Sequence, residues 1–173
     1  FGEYPRENRV VGGIAAAQDA TIKVGVLHSL SGTMAISETT LKDVMLMLID
    51  EQNKKGGVLG KKLELILEDN KSNPKEAVNA VEKLILRDKV PLLIGAWSST
   101  YTLAVMPKLM EYKVPMIVET SSADKITTSG NPYIFRISPP SSVEAAAFKP
   151  ILPKLAIKKA DFLVINNDWG RGA

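Results

Sequence analysis

The chain has 173 residues, enough for one domain and a fraction of another, with 45% hydrophobic and 24% charged residues and a net charge of +3. So small an excess is no electrostatic footprint for nucleic acid, and no apolar run approaches the roughly 18 residues that span a bilayer. Cysteine is absent and His28 is the sole histidine, which excludes disulfides, thiolate nucleophiles, Cys-based zinc sites and a zinc site built from histidine alone.

In chain order, residues 6–17 (RENRVVGGIAAA) have a basic front, a weak apolar middle and small residues at the end, so 1–20 reads as a leader or signal remnant. Residues 22–27 (IKVGVL) alternate and are β-branched, predicting a strand. The loop of small and hydroxyl residues at 28–37 leads into a helix over 38–55, with Leu41, Val44, Met45, Leu48 and Ile49 at three- and four-residue steps. Gly56-Gly57 stops it as a left-handed cap would. Residues 63–68 (LELILE) alternate as a second strand. Asn73-Pro74 opens the next helix, with Asn73 as cap, Pro74 at the first position and Glu76 completing a capping-box pattern. A third strand follows at 91–95, then a helix over 100–112 that Pro107 is expected to kink or shift. Strands four and five fall at 114–118 and 133–137. A helix over 143–155 is interrupted near Pro150 and Pro153, and a sixth strand is predicted at 162–166.

Strand and helix alternate, and each pair of strands is separated by enough chain for a crossover. That is the signature of an α/β fold with a doubly wound parallel sheet and flanking helices. One layer is nearly complete by Ile137, and SPPSS at 138–142 is the best linker. The helix and strand that begin afterwards are too little for a second domain. The reading is therefore lobe one over 21–138, followed at 139–173 by a crossover and the start of an incomplete second lobe, in the N-terminal part of a longer protein.

Ligands of open parallel sheets bind outside the carboxyl ends of the strands. The loops there are HSLSGTMAISE, AWSST, ETSSAD and NNDWGRG. Two serine pairs, Ser98-Ser99 and Ser121-Ser122, also precede helical segments, where unpaired N–H groups and a partial positive charge suit a small anion without a lysine or arginine. Serine at such positions is also an ordinary helix cap. Trp97 has two readings, packing and ligand platform, whereas Trp169 lies in a polar loop and fits core packing poorly. Asp69, after strand two, suits a turn or cap, or else a metal or ribose. His28 reads as a loop histidine near the cleft, with no carboxylate beside it in sequence to orient it as a general base. The pattern G-x-S-x-G, a P-loop and a dinucleotide loop in its proper context are all missing. No catalytic residue, metal site or cofactor is assigned.

Together, IKVGVLHSLSGTMAISE, GGVLGKKLELILEDNKSNP, LLIGAWSST, VPMIVETSSADKIT, YIFRISP and NDWGRG resemble the type 1 periplasmic binding proteins, in the branch of Leu/Ile/Val- and amide/urea-binding receptors of ABC importers. The resemblance runs from Thr21 to the end. It implies a two-lobed, non-enzymatic receptor, periplasmic or extracellular and not membrane-spanning, that closes on a small solute and delivers it to importer membrane subunits. It implies that Trp97, Ser98, Ser99, Ser121 and Ser122 surround the carboxylate and amine of an amino-acid ligand. Trp169 would supply an aromatic from lobe two, and Ser31 and Thr33 would border the side-chain pocket. Ser31-Gly32-Thr33 departs from the S-G-P of many amino-acid binders and is closer to urea and short-amide receptors, so the expected ligand is an amino acid, an amide or urea. Two alternatives stand beside this one: the same fold as the sensing domain of a receptor or regulator, and a small α/β hydrolase using His28 and a serine.

Overall fold

The structure, a computed structural model, describes residues 21–171; the predicted leader lies outside them. Five strands among these residues form one parallel sheet: β1 (Ile22–His28), β2 (Leu63–Asp69), β3 (Leu93–Gly95), β4 (Met116–Val118) and β5 (Ile134–Arg136), in the order β2-β1-β3-β4-β5. The helices are α1 (Ala35–Lys54), α2 (Pro74–Glu82, continued by a wider turn at Lys83–Arg87), α3 (Ser99–Tyr112), the short α4 (Lys125–Thr128) and α5 (Ser141–Phe148), followed by a tight turn at Leu152–Leu155. This is the doubly wound α/β architecture. The chain winds one way from β1 to β2 and the other way from β1's far side onward, so the order reverses between β1 and β3. A crevice opens at such a reversal, outside the strands' carboxyl ends.

Side-chain alternation divides the sheet into two faces. Gly25 and Leu27 of β1 face α2 and α3, where Leu27, Leu84, Leu93, Val105, Leu109 and Met116 are buried together as the main core. A methyl group on Gly25 would meet Val90 and Leu84. Val24, Val26 and His28 point to the opposite face, and His28 meets Glu38 on α1. β3 ends at Gly95, whose φ is +127° and whose missing Cβ would stand 2.2 Å from the Leu27 carbonyl oxygen. Only glycine lets the end of β3 turn this close to β1.

The local signals act as expected at the helix ends. Asn73 Oδ1 accepts the amides of Lys75 at 2.8 Å and Glu76 at 3.3 Å, with Pro74 opening α2. Gly56 and Gly57 take positive φ after α1, and the Gly57 amide reaches back to the Gln52 carbonyl. Two expectations change. The only fully buried side chain of α1 is Glu38: Leu41, Met45 and Ile49 are half-buried, while Val44 and Leu48 are exposed. The helix packs mainly on β1 and β2, and Val44 and Leu48 of its stripe are left uncovered among the described residues. Pro107 lies within α3. Residues 162–166 form no strand, and Phe162 and Leu163 are exposed. Their apolar pattern suits a strand, but a strand also needs a neighbour to accept its backbone hydrogen bonds, and none among the described residues lies beside it.

Candidate ligand-binding cleft

The carboxyl end of β2 organises the first loop. Asp69 Oδ1 accepts the amides of Leu30 (2.9 Å), Ser31 (3.2 Å) and Lys71 (2.8 Å), and its Oδ2 accepts the Ser31 hydroxyl at 2.6 Å. Burial pushes the Asp69 carboxyl up, but these hydrogen bonds outweigh it and hold the group below the ordinary carboxylate range. Asp69 is thus the turn residue of its two readings. It engages the Ser31 hydroxyl, whereas Thr33 is exposed nearby.

The loops after β3 and β4 are stitched to each other. Ser121 is buried; its hydroxyl donates to the Ala96 carbonyl at 2.7 Å and lies 2.7 Å from Thr102 Oγ1. Ser99 is buried too, and its hydroxyl accepts the Ala123 amide at 3.1 Å. Both side chains face the other loop rather than open space. Ser98 occupies the N-cap position of α3 in an extended conformation, and its carbonyl accepts the amides of Tyr101 and Thr102, but its hydroxyl makes no capping bond. That hydroxyl, half-buried, remains available, as do the α3 amides that have no partner within the helix. Thr100 Oγ1, at the second residue of α3, is buried without a hydrogen-bond partner. Trp97 is half-buried between β3 and Ser98.

Ser122 is where the β4 loop meets two later segments, the start of α5 and the loop at Trp169. Its hydroxyl accepts the indole N–H of Trp169 at 2.9 Å and lies 3.2 Å from the Ser141 hydroxyl, while its carbonyl accepts the Ser141 amide at 2.8 Å. Trp169 is 47% exposed, so it is not a core residue. Next to this contact, Leu103, Ala123, Asp124, Lys125, Asp168 and Arg171 line a hollow of about 240 Å³. The structure therefore brings Trp97, Ser98, Ser99, Ser121, Ser122 and Trp169 to one end of the sheet, with Ser31 and Thr33 on the adjoining β1 loop.

Two features had no visible sequence signal. Arg136, at the end of β5, donates to the carbonyls of Ser121 (3.2 Å) and Ala123 (2.9 Å) and to the Thr127 hydroxyl (2.7 Å), clamping the β4 loop from below. His28 is fully buried rather than a loop residue. Its Nδ1 is 2.8 Å from Glu38 Oε2 and its Nε2 is 3.0 Å from Glu119 Oε1. The second approach has an ion-pair distance without hydrogen-bond alignment, so Glu119 has no hydrogen-bond partner. Burial is the strongest single influence and opposes the charge on the ring; Glu119 and Glu38 together overcome it and raise the imidazole to about 9. Neither carboxylate is near His28 in sequence, which is why the residue looked unsupported. Among the described residues, no cluster is placed to hold a metal ion and no helix is long and apolar enough to cross a membrane.

A five-stranded parallel sheet with its order reversed between β1 and β3, and helices on both faces, is the architecture of the type 1 periplasmic binding proteins. The chain belongs to the periplasmic binding protein family, whose model matches residues 21–173. It is 29% identical over 154 residues to the Leu/Ile/Val-binding protein BraC3 of Rhizobium johnstonii, covering 88% of this chain and 42% of that one. Among solved structures it is similar to the branched-chain amino acid transporter substrate-binding protein of Streptococcus pneumoniae in complex with isoleucine (28% identity, TM-score 0.69, 77% of this chain and 39% of that one). It is also similar to an ABC transporter solute-binding protein of Rhodopseudomonas palustris in complex with 3,4-dihydroxybenzoic acid (29% identity, TM-score 0.77, 88% and 41%). The chain spans less than half the length of these relatives.

Proposed function

We propose that this chain is the ligand-binding lobe of an extracytoplasmic receptor that delivers a small polar solute, such as an amino acid, an amide or urea, to the membrane subunits of an ABC importer. The observation that carries the reading is the Ser122–Trp169 contact. A hydroxyl at the tip of β4 meets an aromatic from a segment far along the chain at 2.9 Å, beside a helix start with free amides. A solute seated there touches Ser98, the first turn of α3, Ser122 and Trp169 at once. The amides and hydroxyls suit a carboxylate or an amide carbonyl, and the ring excludes water from one side. Isoleucine and 3,4-dihydroxybenzoic acid, the ligands of two similar proteins, both carry a carboxylate. Binding and release, rather than chemistry, is the task this reading assigns. Ser99 and Ser121 act behind the surface, bracing the loops that present Ser98 and Ser122.

Isothermal calorimetry with leucine, acetamide, urea and 4-hydroxybenzoate tests the reading. At least one should bind with 1:1 stoichiometry and be recovered unchanged. Ser98→Ala and Ser122→Ala should each weaken that binding by roughly five- to tenfold, the value of one hydrogen bond of about 1 to 1.5 kcal/mol; Ser98→Ala, whose hydroxyl has no partner among the described residues, should do so without lowering the melting temperature. Absence of binding by every solute, or conversion of any of them, rejects it.

A further inference from the structure

The Glu38–His28–Glu119 cluster lies beneath the cleft and joins the elements that build it. His28 is the last residue of β1. Glu38, in the first turn of α1, holds the ring at 2.8 Å and with the same oxygen accepts the Ser29 amide at 2.7 Å, where the β1 loop begins. Glu119 is the first residue beyond β4, and the next three are Thr120, Ser121 and Ser122. The side chains of His28 and Glu38 are wholly buried and that of Glu119 is 12% exposed. Among the described residues neither carboxylate has another cationic partner, and one oxygen of Glu38 and both of Glu119 lack hydrogen-bond partners.

We propose that this cluster is a positioning element of the ligand cleft, in which the His28 imidazolium holds the Thr120–Ser122 loop against β1 and α1 and so fixes where Ser122 stands opposite Trp169. The inference rests on the cleft reading above and adds a control on it. Two buried carboxylates repel unless a cation lies between them. A neutral imidazole has a single N–H and can donate to only one of them. Losing the proton therefore releases one side, and the loop side is the less enclosed. The other groups facing the cluster do not replace the cation. Asp69, paired with His28 across β1 and β2, is already tied to the β1 loop. Tyr101, from α3, lies near Glu38 and Ser72 and has its phenol raised, by burial first and by the Glu38 charge second.

The chain's single histidine and two tryptophans permit a test that needs no ligand. In protein with 13C-labelled rings, the carbon-bound proton signals of His28 should titrate near pH 9. Those of Trp169, assigned with Trp97→Phe, should move with the same midpoint. Glu119→Gln should lower the His28 midpoint by at least one unit and abolish the Trp169 movement near pH 9, and Glu119→Asp, which keeps the charge, should restore at least half of that movement. Trp169 signals that ignore the His28 titration in the wild-type chain would overturn the proposal, and this measurement stands even if the glutamine variant does not fold. Loss of all solute binding with the coupled titration intact would sink the cleft reading instead.

Discussion

His28 and Gly95 are single residues whose substitution has consequences that their own chemistry fixes. In the unfolded chain the imidazole titrates near 6.5, and in the folded protein near 9. The folded state holds the proton more tightly, so the stabilisation from His28 is complete below pH 6.5 and is lost as the pH rises through 9. Unfolding free energies from urea titrations at pH 6, 8 and 10 should show the difference between wild type and His28→Gln shrinking by a few kcal/mol, on the order of 1.4 kcal/mol per pKa unit. A difference that is constant with pH would mean that the ring is neutral in the folded protein. Gly95 is governed by space rather than charge. Both its positive φ and the 2.2 Å approach of a Cβ to the Leu27 carbonyl oppose any side chain. Gly95→Ala should cost more than about 2 kcal/mol and lower the melting temperature, whereas Gly130→Ala, where a Cβ meets nothing, pays only the strain of its φ.

At the scale of elements, what the sequence made legible was whatever is decided locally. Asn73-Pro74 sets its own cap, and Asn73→Ala should destabilise by about 1 kcal/mol, read as a lower urea midpoint with an unchanged slope. The alternation in 22–27 and 63–68 marks β1 and β2, which pair along their whole length. What sequence alone missed needs a partner elsewhere in the fold. The period of α1 identifies a helix but not how much of its stripe finds a surface. The apolar run at 162–166 looks like a strand, and nothing local says that no neighbour lies beside it. The same division holds in the cleft. Serines at the strand ends are visible in the sequence as a cluster, but which hydroxyls brace the loops and which stay available depends on the backbone atoms that meet them. Ser121 engages the Ala96 carbonyl and Ser98 leaves its hydroxyl free. Arg136 and the carboxylates around His28 are invisible because their partners are distant in the chain.

For the whole molecule, packing is uneven. The core between β1, β3, β4, α2 and α3 is continuous, whereas the chain after α5 begins contributes little to it. Val143, Phe148 and Leu155 are each more than half exposed, and four consecutive apolar residues, Phe162 to Ile165, are exposed by 88, 102, 57 and 53%. Contiguous exposed apolar surface drives association, and an extended apolar segment with unpaired backbone groups adds a template for edge-to-edge pairing. The chain as it stands should therefore self-associate in a concentration-dependent way. Replacing Phe162 and Leu163 together by serine should reduce that association, measured by sedimentation velocity across a hundredfold range of concentration. The melting temperature should stay within about 2 °C, because side chains exposed in the folded state contribute little to its stability. Should association persist unchanged, the exposed face of α1, with Val44, Met47 and Leu48, is the next surface to alter. If the double substitution instead lowers the melting temperature sharply, the segment packs more closely on the lobe than its exposure indicates.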